Sequence, residues 1–385
     1  MLRRTLFLLI VTAASHQALG ASFDKADRLA AKLPAKSAKT VKQLSAYIQE
    51  NLSSPTDRLR AAYVWITKNI SFDKERKPDF IASFSTDSVA NAVLTSRKAT
   101  ASEFAELFQK VAIGMGFEAY SIAGYTKRGK VVDEAGHAWN AIRMDNGQWL
   151  LFDTMWGAGS LVNGKFTKKP NTEFFMVEPS VFIKTHMPFD PLWELIAHPI
   201  KASAFLNDDA PVASSPAFSY NDTINAESML FRSEQLEHLC RRLQWAGDVN
   251  SSTSTMLSSC KENIPTLKQR EKHALEYRNI TQFNDIADRV NKVIEHYNTF
   301  VALKKTYKEK RISLAQLRTL IDTCNVNIAY AEKKLPSLKF EKDDQATQRN
   351  NLAKTVFDLR KQVDIQAAFL KQQKEAPRKK KSKKA

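Results

Sequence analysis

Cysteine is scarce in this chain, and its placement excludes a scaffold built on disulfides. Only Cys240, Cys260 and Cys324 occur, all in the C-terminal half. An odd count of three permits at most one internal pair, such as Cys240 with Cys260, and leaves a thiol over. Long apolar runs are equally scarce. Residues 5–14 form a short one, and no later stretch reaches the roughly 20 residues that a membrane-spanning helix needs. No cysteine follows that first run, which argues against a lipid-anchored form. No segment repeats at a period of 20–50 residues. No histidine spacing joins His186 or His198 to His137 in a metal-like pattern, so those two are read as structural or exposed; neither a metal nor a cofactor is expected.

What is present suits an exported soluble protein. The chain has 385 residues, 43% hydrophobic and 26% charged, enough for two or three domains with a real core. Arg3 and Arg4, the apolar run, and the small residues Ala18 and Gly20 read as a secretory signal peptide over 1–20, cut ahead of Ala21. A secreted or periplasmic location follows. The formal charge is +17. Part of it sits in a tail over 375–385, where Arg378, Lys379, Lys380, Lys381, Lys383 and Lys384 meet no acid after Pro377. That tail reads as a solvated, disordered end, and polyanion or anionic-lipid contact is its second reading. Export makes nucleic acid an unexpected partner.

Periodicity predicts an α+β domain over 21–200, an irregular linker over 201–225 rich in Asn, Asp, Pro and Ser, and a helical region over 226–374. Val41, Leu44, Ile48 and Leu52 step by three and four, as on one face of a helix. A second helix is expected to start at a cap on Asp57. Thr100 and Glu103 form a Thr-x-x-Glu capping box ahead of Phe104, Leu107, Phe108 and Val111, which makes Ala101 the first helical residue. Two strands, 137–144 and 148–153, flank Asp145-Asn146-Gly147, a three-residue hairpin loop with Gly147 in the left-handed position. Later, Phe283, Ile286, Val290, Val293, Tyr297 and Phe300 repeat the helical step, as do Leu314, Leu317, Ile321, Cys324 and Ile328, and then Leu352, Val356, Leu359 and Val363. These coiled-coil-like seams predict an all-α helical bundle or long helical hairpin.

Three motifs carry chemistry. Residues 97–108 read Arg-Lys-Ala-Thr-Ala-Ser-Glu-Phe-Ala-Glu-Leu-Phe; residues 136–142 read Gly-His-Ala-Trp-Asn-Ala-Ile; residues 149–157 read Trp-Leu-Leu-Phe-Asp-Thr-Met-Trp-Gly. In this order the three resemble the transglutaminase-like superfamily of papain-type cysteine enzymes, and within it the bacterial relatives of the kyphoscoliosis peptidase. The resemblance covers roughly 40–200 and continues through Phe174, Phe175, Phe182, His186, Pro188 and Trp193. It implies a papain-like core in which a helix packs on an antiparallel sheet. It also implies a nucleophilic cysteine opening that helix, a histidine base at His137 and an orienting acid at Asp153. Here Ala101 stands at the nucleophile position, and Glu103 replaces a small glycine.

A thiolate at a helix start is stabilised by the helix dipole and by an adjacent imidazolium, and an acid fixes the tautomer of that imidazole. A methyl group cannot attack an acyl carbon. Ser102, one step on, is rotated by about 100° and should point away from His137, while the hydroxyl of Thr100 should be spent on capping. With a three-residue loop, His137 faces Met155 and lies diagonal to Asp153 on one face. Trp139 and Trp156 either fill the core or line the cleft, with Thr100 and Ser102 at its edge. The leading expectation is an inactive homologue that binds peptide or protein in the former cleft. The alternatives are an acyl-transfer enzyme using Ser102 or Thr100, and a cell-envelope scaffold working through its helical region and basic tail.

Overall fold

A computed structural model describes residues 23–76, 87–207, 217–307, 309 and 312–373. The leader expected over 1–20, the basic tail over 375–385 and the middle of the expected linker lie outside the described residues. The chain divides into two compact units, 1–265 and 266–385.

The first unit begins with α1 (Asp24–Lys32), α2 (Val41–Asn51), α3 (Pro55–Asn69), β1 (Ser71–Phe72), α4 (Ser88–Ser96), β2 (Lys98–Ala99) and α5 (Ala101–Gly114). The α2 face read from the sequence is buried at Val41, Leu44, Ile48 and Leu52. Helix α3 starts earlier than expected. Ser54 is its cap and Pro55 its first residue, and Asp57 donates the capped N–H, an arrangement that uses proline where no N–H is needed. Helix α5 is buried nearly all round, so it is the central helix of this unit.

The sheet follows: β3 (Glu118–Arg128), β4 (Val131–Val132), β5 (His137–Arg143), β6 (Trp149–Phe152) and, after α6 (Thr154–Ala158), β7 (Gly159–Val162), β8 (Lys165–Lys168) and α7 (Pro179–Phe182), the short β9 (His186–Pro188). The order is β4-β3-β5-β6, with β9 on β3. Pairing is antiparallel throughout that sheet. The β5–β6 hairpin has the three-residue loop expected. Met144 N donates to Gln148 O at 2.8 Å, and Gly147 has φ +82°, a conformation that glycine adopts without strain. The ladder stops at Asn140 opposite Phe152. Met155 is inside α6, so the expected facing of His137 and Met155 does not occur; capping of α6 by Asp153 ends the strand first.

One core joins the early helices to Ala119, Ile142, Leu150 and Phe152 of the sheet. The other sheet face is covered by later elements. These are α8 (Ala202–Asn207), α9 (Tyr220–Ser228), α10 (Arg232–Ala246) and the start of α11 (Ser251–Thr306). Tyr220 and Ile224 pack on Ile122, Trp139 and Leu151; Phe205 and Leu243 pack on Tyr125 and Met187. The expected domain edge at 200 falls inside the first compact unit, and residues beyond it pack on the sheet. A sheet with two apolar faces needs cover on both, and residues of α8, α9, α10 and the start of α11 supply the second layer. The expected linker at 201–225 accordingly contains α8 and the start of α9.

In the second unit, α11 shares one core with α12 (Leu314–Lys334) and α13 (Asp343–Gln372). Ile286, Val290, Val293, Phe300, Leu317, Ile321, Cys324, Ile328, Val356, Leu359 and Val363 are all buried there, as their spacing predicts. No helix of the described residues is long and apolar enough to cross a membrane.

Candidate active site

Helix α5 begins as the capping box requires. Thr100 Oγ1 accepts from Glu103 N at 3.4 Å, and Thr100 N donates to Glu103 Oε2 at 2.8 Å. Glu103 also receives both terminal nitrogens of Arg76 at 2.7 Å. The residue that departs from the family motif thus serves as a structural brace. Ala101 is 4% exposed and heads the helix. Two bonds tie this helix to the strand ends of the hairpin: Asn140 Nδ2 donates to Ala105 O at 2.8 Å, and Thr154 Oγ1 to Phe104 O at 3.4 Å.

Asp153 is fully buried, and its carboxylate is saturated. Oδ1 accepts from Met155 N and Trp156 N at 2.8 and 2.9 Å, capping α6. Oδ2 accepts from His137 Nε2 at 2.6 Å and lies 3.2 Å from His186 Nε2. Tyr63 hydroxyl donates to Asp153 O at 3.2 Å. Burial alone would raise the carboxyl; the two imidazoles outweigh it and hold it well below the usual carboxylate range. With the Nε2 proton of His137 donated to Asp153, its lone pair is on Nδ1, which has no hydrogen-bond partner among the described residues. That nitrogen is open to accept a proton.

His186 is the correction to the sequence reading. Read as structural or exposed, it is not exposed: it is 1% exposed and bonded to Asp153. Sheet register explains the meeting. Gly124 of β3 pairs with His137 on one side and Pro188 on the other, and Thr126 pairs with His186. The two histidines thus share one face across a central strand. A Cβ at Gly124 would collide with Met187 O, Pro188 Cα and the Trp139 ring, so the glycine permits the close approach of both neighbours. Phe182, Trp156, Trp139 and Phe174 surround the His186 ring at 4.0, 4.5, 5.2 and 5.5 Å between centroids. This apolar enclosure pushes the imidazole down to about 4, against the pull of Asp153, and keeps it neutral at pH 7. Its Nδ1 is 2.8 Å from Thr185 Oγ1. No periodic pattern marks a three-residue strand, which is why the sequence did not disclose this partner.

The donor atoms of His137, Asp153 and His186 lie within 4.8 Å of one another, and two imidazoles with a carboxylate are a zinc-type set. Yet the 2.6 Å between His137 and Asp153 is the spacing of a short hydrogen bond. Two ligands on one tetrahedral zinc, each at about 2.0–2.1 Å, stand roughly 3.3 Å apart. The geometry is that of a hydrogen-bonded network.

The remaining expected residues separate. Trp139 is 1% exposed and fills the core rather than lining an open cleft. Trp156 is half-buried, 5.7 Å from the His137 ring, with the Arg128 guanidinium 4.4 Å from its own ring. It borders a recess of about 320 Å³ with Arg128, Lys169, Asn171, Glu173 and Phe174. Thr100 and Ser102 share a hydrogen bond of 3.2 Å. Neither has one to His137 among the described residues. Ser102 lines a separate cavity of about 430 Å³ with Tyr120, Trp193, Leu236, Arg242 and Cys260.

Part of the chain is similar to known proteins. Residues 42–154 match the model of the transglutaminase-like superfamily. The chain is 30% identical over 195 residues to the kyphoscoliosis peptidase of Mus musculus, covering 48% of this chain and 28% of that one. It is 25% identical over 208 residues to hillarin of Drosophila melanogaster, covering 48% and 24%. It thus spans about a quarter of the length of these curated relatives. Among solved structures, the periplasmic domain of TgpA from Pseudomonas aeruginosa overlaps with a TM-score of 0.26 at 15% identity, covering 34% of this chain and 48% of that one. With the motifs, the α5-on-sheet packing and the family match in one segment, the chain carries a domain of the transglutaminase-like superfamily.

Proposed function

We propose that this chain is an exported, non-catalytic member of the superfamily that binds peptide or protein at the former active-site cleft. The observation that carries this reading is the ordered His137–Asp153–His186 network in a domain whose first α5 residue is Ala101. A base with its tautomer held and no nucleophile performs no acyl transfer. Binding needs only a shaped surface with an aromatic wall and polar groups. Trp156 supplies that wall beside Arg128 and Lys169, so an extended chain with acidic side chains is the favoured ligand. The curated relative named a peptidase is consistent with a polypeptide ligand. The hydroxyls of Thr100 and Ser102 are engaged with the cap and with each other, which disfavours either as a substitute nucleophile.

The test uses a fluorescently labelled, unfolded acidic polypeptide such as reduced carboxymethylated α-lactalbumin. Fluorescence polarisation should report saturable binding that weakens at least about tenfold in Trp156→Ala, with no covalent product by mass spectrometry. A fluorophosphonate probe that labels Thr100 or Ser102, with labelling lost in His137→Ala, would establish acyl-transfer chemistry and refute the proposal. Undiminished binding by Trp156→Ala would remove the cleft from it.

A further inference from the structure

Strand β3 has neighbours on both sides for only part of its length. On one side it pairs with β5 from Glu118 to Gly124. On the other it pairs with β9 from Gly124 onward, and Phe189 N donates to Ala123 O at 2.9 Å. Backbone groups alternate in direction along an antiparallel ladder, so Ala119 and Ser121 turn theirs the same way as Ala123, away from β5. The hairpin register agrees. Met144 N bonds to β6, which leaves Arg143, Ala141, Trp139 and His137 to bond β3 at 118, 120, 122 and 124. Gln109 Nε2 donates to Ala119 O at 2.9 Å. Between these two closures, the N–H and C=O of half-buried Ser121 have no hydrogen-bond partner among the described residues. Strand β9 does not continue past them, because Asp190 caps a tight turn at Pro191–Trp193 that takes the chain off the edge.

We propose that this edge binds a short extended peptide, which adds as a strand antiparallel to β3 and pairs through its central residue with Ser121. The space is present: Ser121, with Tyr120 and Ile122, lines the cavity of about 430 Å³, whose far wall is α10. One ligand residue satisfies both groups of Ser121 only in the antiparallel arrangement. Its N–H donates to Ser121 O, and its C=O accepts from Ser121 N–H. Such main-chain pairing supplies affinity, and the pockets for alternate side chains supply selectivity. The site lies apart from the recess beside Trp156 and does not depend on it.

The surroundings define the ligand further. Gln109 closes the edge at Ala119 and Phe189 closes it at Ala123, so only the positions opposite 120, 121 and 122 are open. A free peptide of that length fits, and a long chain running through does not. Side chains alternate between faces along a strand. The two outer side chains of the ligand fall on the face of Tyr120 and Ile122, beside Leu192 and Trp193, which suits apolar residues. The central one falls on the α5 face, beside Ser102 and Gln109, which suits a small polar residue. In the wall, Arg242 pairs with Asp190 at 2.6 and 2.9 Å and with Glu227 at 2.9 Å, while Arg232 donates to Gln235 Oε1 at 2.6 Å. Two acids balance two arginines, so the wall favours neither sign of charge, and the unmatched chemistry it offers is the backbone pair of Ser121.

The probe is the uncharged tripeptide acetyl-Leu-Ser-Leu-amide, titrated into the full chain by calorimetry and NMR. Saturable binding below about 1 mM is expected, with hydrogen exchange at the Ser121 amide slowed at least about tenfold. N-methylation of the central serine removes the N–H that Ser121 accepts and should weaken binding at least about tenfold. N-methylation of the C-terminal leucine, whose N–H points away from β3, should weaken it less than about twofold. These changes are made in the ligand, so the fold of the protein is not at stake. Trp156→Ala should leave tripeptide binding unchanged, which separates this site from the proposed cleft. No saturation by about 1 mM, equal loss from the two methylations, an unaltered Ser121 amide, or binding lost in Trp156→Ala would overturn the proposal.

Discussion

Asp153 shows how much one side chain can organise. It caps α6, orients His137 and holds His186, so its two oxygens serve four donors. A buried carboxylate in this position is stable only because every lone pair is matched. Glu194 is the contrasting case. It is 1% exposed, and although it accepts from Ile200 N at 2.8 Å, its Oε1 has no partner among the described residues. Burial pushes its carboxyl up to about 8. The folded form therefore holds a proton that the unfolded chain releases near pH 4.5. The associated stability is fully present below that pH and is lost as pH rises through 8. Glu194→Gln should remove this decline. In urea titrations between pH 5 and 9, the unsubstituted chain should lose roughly 2–4 kcal/mol that the variant keeps; parallel curves would disprove the assignment.

At the scale of elements, the decisive contact is the passage of β3 between β5 and β9. Gly124→Ala should force these strands apart, lowering stability by about 3 kcal/mol in urea denaturation, because the added Cβ meets backbone atoms on β9 that cannot rotate away. A cost below about 0.5 kcal/mol would mean that the three strands are less closely packed than described. Local chemistry explains which elements were legible in advance. The α5 start is written in Thr100 and Glu103, and the hairpin in Asp145, Asn146 and Gly147, because capping and left-handed turns depend on adjacent residues. The partner of Asp153 on β9 was not legible. It sits 33 residues away in sequence and arrives through strand pairing that leaves no period. Trp139 and Trp156 illustrate the same limit. Both are aromatic and both flank motif residues, but only their places on β5 and α6 decide that one is core and the other borders a recess.

At the scale of the whole molecule, each of the two units packs its own apolar residues. The helical seams of the C-terminal half were readable as a bundle because each apolar stripe buries against another stripe of the same kind. The extent of the first unit was not readable. The faces of α8, α9 and α10 look the same in sequence whether they cover a sheet or other helices, and only the uncovered second face of the sheet assigns them. Pro265 stands at the division inside α11, removing a helical N–H there. Within the first unit, we propose that the site holds a base and an orienting acid for thiol chemistry and lacks the sulfur. Ala101→Cys tests it, with alkylation of Cys240, Cys260 and Cys324 separated by mass mapping. The rate of iodoacetamide reaction at position 101 should titrate well below the roughly 8.5 of an ordinary thiol. At pH 6 it should exceed that of the same variant carrying His137→Ala by at least about tenfold. A residue-101 thiol that titrates as an ordinary one, indifferent to His137, would show that the site is not an active centre lacking its nucleophile.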